Sequence, residues 1–78
     1  MIDYQNLRSS YIAAIQFGLT MNAGYEDAKR GNGLLHEFCK KCVDNSNYSE
    51  SDKQKMKNDL ELVKQSLAIE IELRFHGG

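Results

Sequence analysis

The sequence predicts an all-α fold, a small three-helix bundle with a long C-terminal helix. Three observations carry this reading. Apolar residues recur at helical spacing in three segments, residues 4–21, 26–44 and 50–75. Two breaks rich in polar residues separate the segments. The 78 residues include no proline, the strongest interrupter of a helix.

In the first segment Asp3 stands where a capping carboxylate can accept from the free amides of the opening turn. Leu7, Tyr11, Ala14, Ile15 and Gly18 then follow at i, i+4, i+7, i+8 and i+11, which is one helical face, and Ile12 and Leu19 broaden it. Gly24 is the expected left-handed stop, because glycine takes that conformation without a Cβ clash.

In the second segment Ala28, Gly31, Leu35, Phe38, Cys39 and Cys42 share a stripe. Its weak point is Gly31-Asn32-Gly33. Each glycine costs a helix interior up to about 1 kcal/mol relative to alanine, and Asn-Gly is a turn dipeptide. The expectation is a kinked but continuous helix, in which Gly31 admits a close crossing with Gly18 of the first segment. The polar cluster that begins at Asp44 reads as a loop over residues 44–49.

The third segment opens with Ser49-Glu50-Ser51-Asp52, which fits a capping-box pattern. Met56, Leu60, Val63, Leu67 and Ile71 form a continuous stripe, and Glu70 and Arg74 stand at i, i+4 in the favourable order. From Leu67 to Phe75 apolar and polar residues also alternate, which is strand period. A lone strand has no partner edge in this chain, so helix is the reading. Residues 76–78 are expected to form a frayed tail.

Read as a helix, this segment carries a second apolar face. Leu62, Ile69 and Leu73, with Phe75 beyond them, are the candidate interface residues. One stripe can cover the other two helices, and the second needs a partner. A homodimer through the third helix is the expectation, together with a larger protein partner.

Composition sets bounds. The chain is 41% hydrophobic and 27% charged, enough apolar surface to offset chain entropy and fold. A single domain of this size holds itself together by only about 3–5 kcal/mol. Its longest apolar run, Tyr11 to Ile15, is far short of a membrane span. The start lacks the basic and apolar pattern of a secretory leader. Two cysteines do not make a disulfide framework, so a soluble cytoplasmic protein is expected.

Formal net charge is −1, with 10 Lys and Arg among 11 Asp and Glu. That balance names no partner. Arg8, Lys29, Arg30, Lys40 and Lys41 would approach one another if the first two helices pack antiparallel, so a small nucleic-acid-binding transcriptional regulator is the alternative function. Against it, Glu26 and Asp27 at the start of the second helix oppose phosphate.

The candidate chemistry is confined to His36-x2-Cys39-x2-Cys42. These are zinc ligand types at short spacing, with His76 as a conceivable fourth ligand, which makes a zinc-stabilised helical module the third option. Successive residues of this motif fan around a helix and do not converge easily. The expectation is therefore no metal and no cofactor, with Cys39 and Cys42 as small core residues and His36 partly exposed. Cys39-x-x-Cys42 lies late in a helix, where the dipole favours the thiol over the thiolate a redox pair needs. No nucleophile–base spacing or phosphate loop is present, so no enzyme is expected. Of the four tyrosines, Tyr11 falls on the core stripe, while Tyr4, Tyr25 and Tyr48 are types enriched at protein interfaces. The functional expectation is a small non-enzymatic interaction protein: a regulator, adaptor or inhibitor of a larger partner, of the kind found among phage, plasmid and bacterial accessory proteins.

Overall fold

A computed structural model describes residues 2–77. They form three helices and no strand: α1 (Tyr4–Thr20), α2 (Tyr25–Asp44) and α3 (Glu50–His76). The alternating stretch at the end of the chain is thus helical. No helix among the described residues is long and apolar enough to cross a membrane.

Each end has a physical cause. The Asp3 carboxylate accepts from the amides of Gln5 and Asn6 and starts α1. Ser49 Oγ accepts from the Asp52 amide at 3.1 Å and starts α3. Between α1 and α2 the left-handed residue is Asn22, at φ 66°, and not Gly24. The Ala23 amide bonds the Gly18 carbonyl at 2.9 Å and the Asn22 amide bonds that of Leu19 at 3.1 Å. This is a Schellman closure with asparagine in the left-handed place, a residue that tolerates it. Gly24 instead sits in extended conformation as the N-cap of α2. At the other end of the chain, α3 runs on through His76, one residue into the predicted tail; Gly77 caps it, and Gly78 lies outside the described residues.

The helices run down, up and down. Asp44 meets Lys57, His36 meets Glu61, and Tyr25 meets Glu72, so α2 and α3 are antiparallel. Tyr11 bonds Asn32 and Ile15 lies beside Gly31, so α1 and α2 are antiparallel as well. α1 and α3 are consequently parallel, with Tyr4 donating to the Met56 carbonyl and the Asp59 carboxylate. The molecule is slender, 43 × 18 × 16 Å.

The α3 stripe holds as predicted: Leu60, Val63, Leu67 and Ile71 are buried, and Met56 packs against them. In α1 the buried residues are Tyr4, Tyr11, Ile15 and Leu19, while Ala14 is exposed. α2 departs furthest from its predicted stripe. Ala28 and Cys39 are buried as expected, but Phe38 is 58% exposed, and the inward side carries Asn32, His36 and Val43. α2 lies between the other two helices, and its core face points at both. Counting Asn32 and His36 as outward because they are polar turns the stripe too far round the helix.

Asn32 is the junction of the bundle. Its carboxamide oxygen accepts from the Tyr11 hydroxyl of α1, and its amide nitrogen donates to the Lys64 carbonyl of α3 at 3.1 Å. A buried carboxamide with its partners in place specifies register as well as contributing to stability. This is why α2 continues through Gly31-Asn32-Gly33 without interruption. The close crossing expected at Gly31 is not there: a Cβ on Gly31 would meet Ile15 Cδ1 at 3.8 Å, an ordinary contact, and one on Gly33 would meet nothing.

The loop after α2 also anchors the start of the chain. Tyr48 donates its hydroxyl proton to the Ile2 carbonyl at 3.0 Å and accepts from the Tyr4 amide. Burial and the Asp59 hydrogen bond both push the Tyr4 phenol above its ordinary range, so Tyr4 acts as a neutral donor.

Candidate interaction surface

The residues considered for metal binding do not meet. His36 is buried, 3% exposed, against the expectation that it is partly exposed. Its Nε2 lies 3.3 Å from Glu61 and its Nδ1 3.8 Å from Glu37, and neither nitrogen is in hydrogen-bond geometry. Cys39 is buried in the core and Cys42 is half-buried, both free thiols. His76 stands edge-on to Tyr25 at 4.7 Å, at the opposite end of α2 from Cys42. Among the described residues no three His, Cys, Asp or Glu come together in a way that could hold a metal ion.

The titrations follow from burial. Loss of solvent lowers the His36 pKa, outweighing the pull of Glu61, and keeps the ring neutral. Burial raises the Cys39 thiol, which makes it a poor nucleophile. His36 forms the floor of a polar cleft of about 330 Å³ between α2 and α3, lined also by Lys40, Gln54, Lys57, Asn58 and Glu61. Both imidazole nitrogens are shut off from solvent, so the cleft does not present them to a ligand.

The cations do not gather either. Arg8 is held by Asp59 at 2.8 Å, Lys29 by Glu26, Arg30 by Asp27 and Lys40 by Glu37. Lys29 and Arg30 sit near one end of α2 and Lys40 and Lys41 near the other.

The apolar side chains are the better candidates. Leu62, Ile69 and Leu73 are 63%, 61% and 65% exposed. They recur at i, i+7 and i+11 on the side of α3 turned away from Leu60, Val63, Leu67 and Ile71. Leu62 also forms one wall of a groove of about 310 Å³ between α1 and α3, with Ile12, Val63 and Leu67 beneath it and Gln16 and Glu70 at its rim. Phe75 does not share this face. It packs on Tyr25 of α2 with ring centroids 5.5 Å apart, and Tyr25 in turn donates to Glu72.

Charge frames the α3 stripe. Glu61 and Glu72 flank it on the α2 side and Glu70 on the α1 side, and none of the three has a Lys or Arg partner among the described residues. The Arg74 expected to pair with Glu70 forms no ion pair there. Four further large apolar residues are exposed elsewhere: Phe17 and Met21 at the end of α1, and Leu34 and Phe38 on α2. The sequence carried a signal for the first two: Arg8 is the one charged residue of α1, so the helix sets no charged face against its core stripe.

No known protein family, curated protein or solved structure matches this chain.

Proposed function

We propose that this chain is a small non-enzymatic interaction protein, a regulator, adaptor or inhibitor that works by laying the outer face of α3 on a larger protein. The observation that carries the reading is the stripe Leu62, Ile69 and Leu73, exposed along a helix whose other face already fills the core. Monomers seldom leave such a stripe uncovered unless it is used. The carboxylates beside it favour a partner that brings Lys or Arg to the rim of an apolar contact. The usual mode for such a stripe is helix against groove or helix against helix.

Two free cysteines, one in the core, fit a reducing compartment and support a cytoplasmic location. A nucleic-acid role draws no support from the surface, where four of the five cations it relied on are each held by a carboxylate.

The test is quantitative affinity capture from cells that naturally make the protein, comparing the native chain with the double variant Ile69→Glu and Leu73→Glu. Both sites are exposed, so the fold is retained and circular dichroism checks it. A partner captured by the native chain is expected to be lost from the variant. Equal capture by both removes α3 as the working surface.

A further inference from the structure

We propose that the outer face of α1 is where two copies of this chain associate, as an antiparallel pair of α1 helices about a two-fold axis between Ala13 and Ala14. This lies on another side of the molecule from the α3 stripe and stands or falls independently of it.

The α1 face is set apart first by charge. Protein surfaces of this kind are roughly 25–35% charged. On α3, seven of the eighteen exposed residues are charged, whereas none of the nine exposed residues of α1 is. Its single charge, Arg8, is only half-exposed and is turned to Asp59. Of those nine, six are uncharged polar residues and three, Ala13, Ala14 and Phe17, are apolar; Phe17 stands 67% exposed and Met21, just past the helix end, 65%. Beside this face, Gly31 and Leu35 of α2 line a shallow groove shared with Ala14 and Gly18 of α1. Helical spacing puts Phe38 of α2 on the same side as Gly31 and Leu35.

Two features select a second copy as the occupant. A two-fold contact brings a surface against itself. On α3 that would bring Glu61, Glu70 and Glu72 toward one another with Lys55 the one cation on the outer face, while on α1 no like charges meet. Shape is the second. Asn6, Ser10, Ala13 and Phe17 follow at i, i+4, i+7 and i+11, the alternation of a helix–helix seam. Run antiparallel, Ala13 lies opposite Ala14, Ser10 opposite Phe17, and Asn6 opposite Met21. Each large apolar side chain then meets a smaller one, and the alanines at the centre let the backbones approach. A parallel pair would stack Phe17 on Phe17 and leave a gap between the alanines.

The seam is short. A helix of this length is about 25 Å long and about 10–12 Å across, so the strip offers roughly 300 Å² per copy. A standard interface uses about 800 Å² per partner. Leu34 and Phe38 on the adjoining helix extend the contact, but the pair is a reversible dimer and not a permanent one.

Sedimentation equilibrium across concentration tests this. The mean mass is expected to rise from the 8.9 kDa of one chain toward twice that value. Ala13→Glu, at an exposed position, is expected to weaken association at least about tenfold with an unchanged helical spectrum. Ser10→Phe and Phe17→Ser should each weaken it, and the two together should restore it, because each then supplies the other copy's missing counterpart. Ile69→Glu with Leu73→Glu should leave it unchanged. The proposal is overturned by a mass of one chain at every concentration up to about 1 mM, by a dimer indifferent to Ala13→Glu, or by a swap that fails to restore what its single changes lose. A dimer broken by the α3 pair alone would move the interface to that helix.

Discussion

Asn32 and His36 are one turn apart on α2, equally buried at 3% exposure, and opposite in what their polar atoms find there. The Asn32 carboxamide bonds both neighbouring helices. The His36 ring has no hydrogen bond at either nitrogen. Burying a polar group costs free energy unless its bonds are replaced, so the first residue supports the bundle and the second burdens it. The difference lies in reach. Asn32 faces a tyrosine hydroxyl and a backbone carbonyl held rigidly by helices, while His36 faces Glu61, a long side chain half in solvent.

Substitution can break this contrast, and the largest effect is expected from Asn32→Ala. It removes the carboxamide that accepts from Tyr11 and donates to Lys64, leaving Tyr11 only the residue-32 carbonyl at 3.1 Å, and opens a cavity, at a cost of about 2–4 kcal/mol, read as a lower urea midpoint with unchanged slope. Tyr11→Phe removes one bond of the same junction and is expected to cost about 1–2 kcal/mol. His36→Leu should go the other way, neutral or stabilising by up to about 1 kcal/mol at pH 7, since it replaces unpaired nitrogens with an apolar group of similar size. If His36→Leu costs as much as Asn32→Ala, the two residues are not opposites.

Acid sharpens the same point. The folded state holds His36 below its ordinary pKa of 6.5, so the unfolded chain binds the proton more readily. Stability is therefore full above that value and falls as the pH drops below it toward the folded-state pKa. His36→Leu should flatten this slope. A separate decline belongs to Asp44, whose pKa is lowered chiefly by the hydrogen bond from Lys57. Its contribution is lost only as the pH falls below the ordinary carboxylate value of 3.8. The smallest effect is expected beside the junction. Gly33→Ala meets no neighbouring atom and should stabilise by about 0.5–1 kcal/mol, measured as a raised melting temperature.

The contrast also marks how far the sequence could be read. Periodicity located all three helices, because a face that must be buried has to be apolar, and α3 buries the residues its stripe named. It misjudged α2, because a hydrophobic count treats every polar residue as outward, and a buried carboxamide looks identical to a solvated one until its partners are known. Asn32 between two glycines therefore read as a weak point, although it is the residue that ties the helices together. Phe38 erred in the opposite direction, an aromatic on the periodic stripe that stands 58% exposed. Of the candidate interface, Leu62, Ile69 and Leu73 do share one face. Phe75 does not: two residues after Leu73 it falls about 200° further round the helix, which spacing already shows once the segment is read as helix, and there it packs on Tyr25. The uncharged side of α1 was legible in principle, as an absence of charge and not as a motif.

The contacts of Tyr48 with Ile2 and of Tyr4 with Asp59 bear on the order of assembly. α2 and α3 are joined by five residues and can pair with little loop to close, whereas these contacts link positions about fifty residues apart. Closing a longer loop costs more entropy, growing with the logarithm of its length. Four residues join α1 to α2, so loop length alone favours neither hairpin. The α2–α3 pair is tied along its whole length, at Asp44–Lys57, Asn32–Lys64 and Tyr25–Glu72, and is the natural nucleus, with the Tyr4 end of α1 docking afterwards. Changes at Tyr4 should then speed unfolding and leave the folding rate almost untouched, whereas changes at Val43 or Leu60 should slow folding.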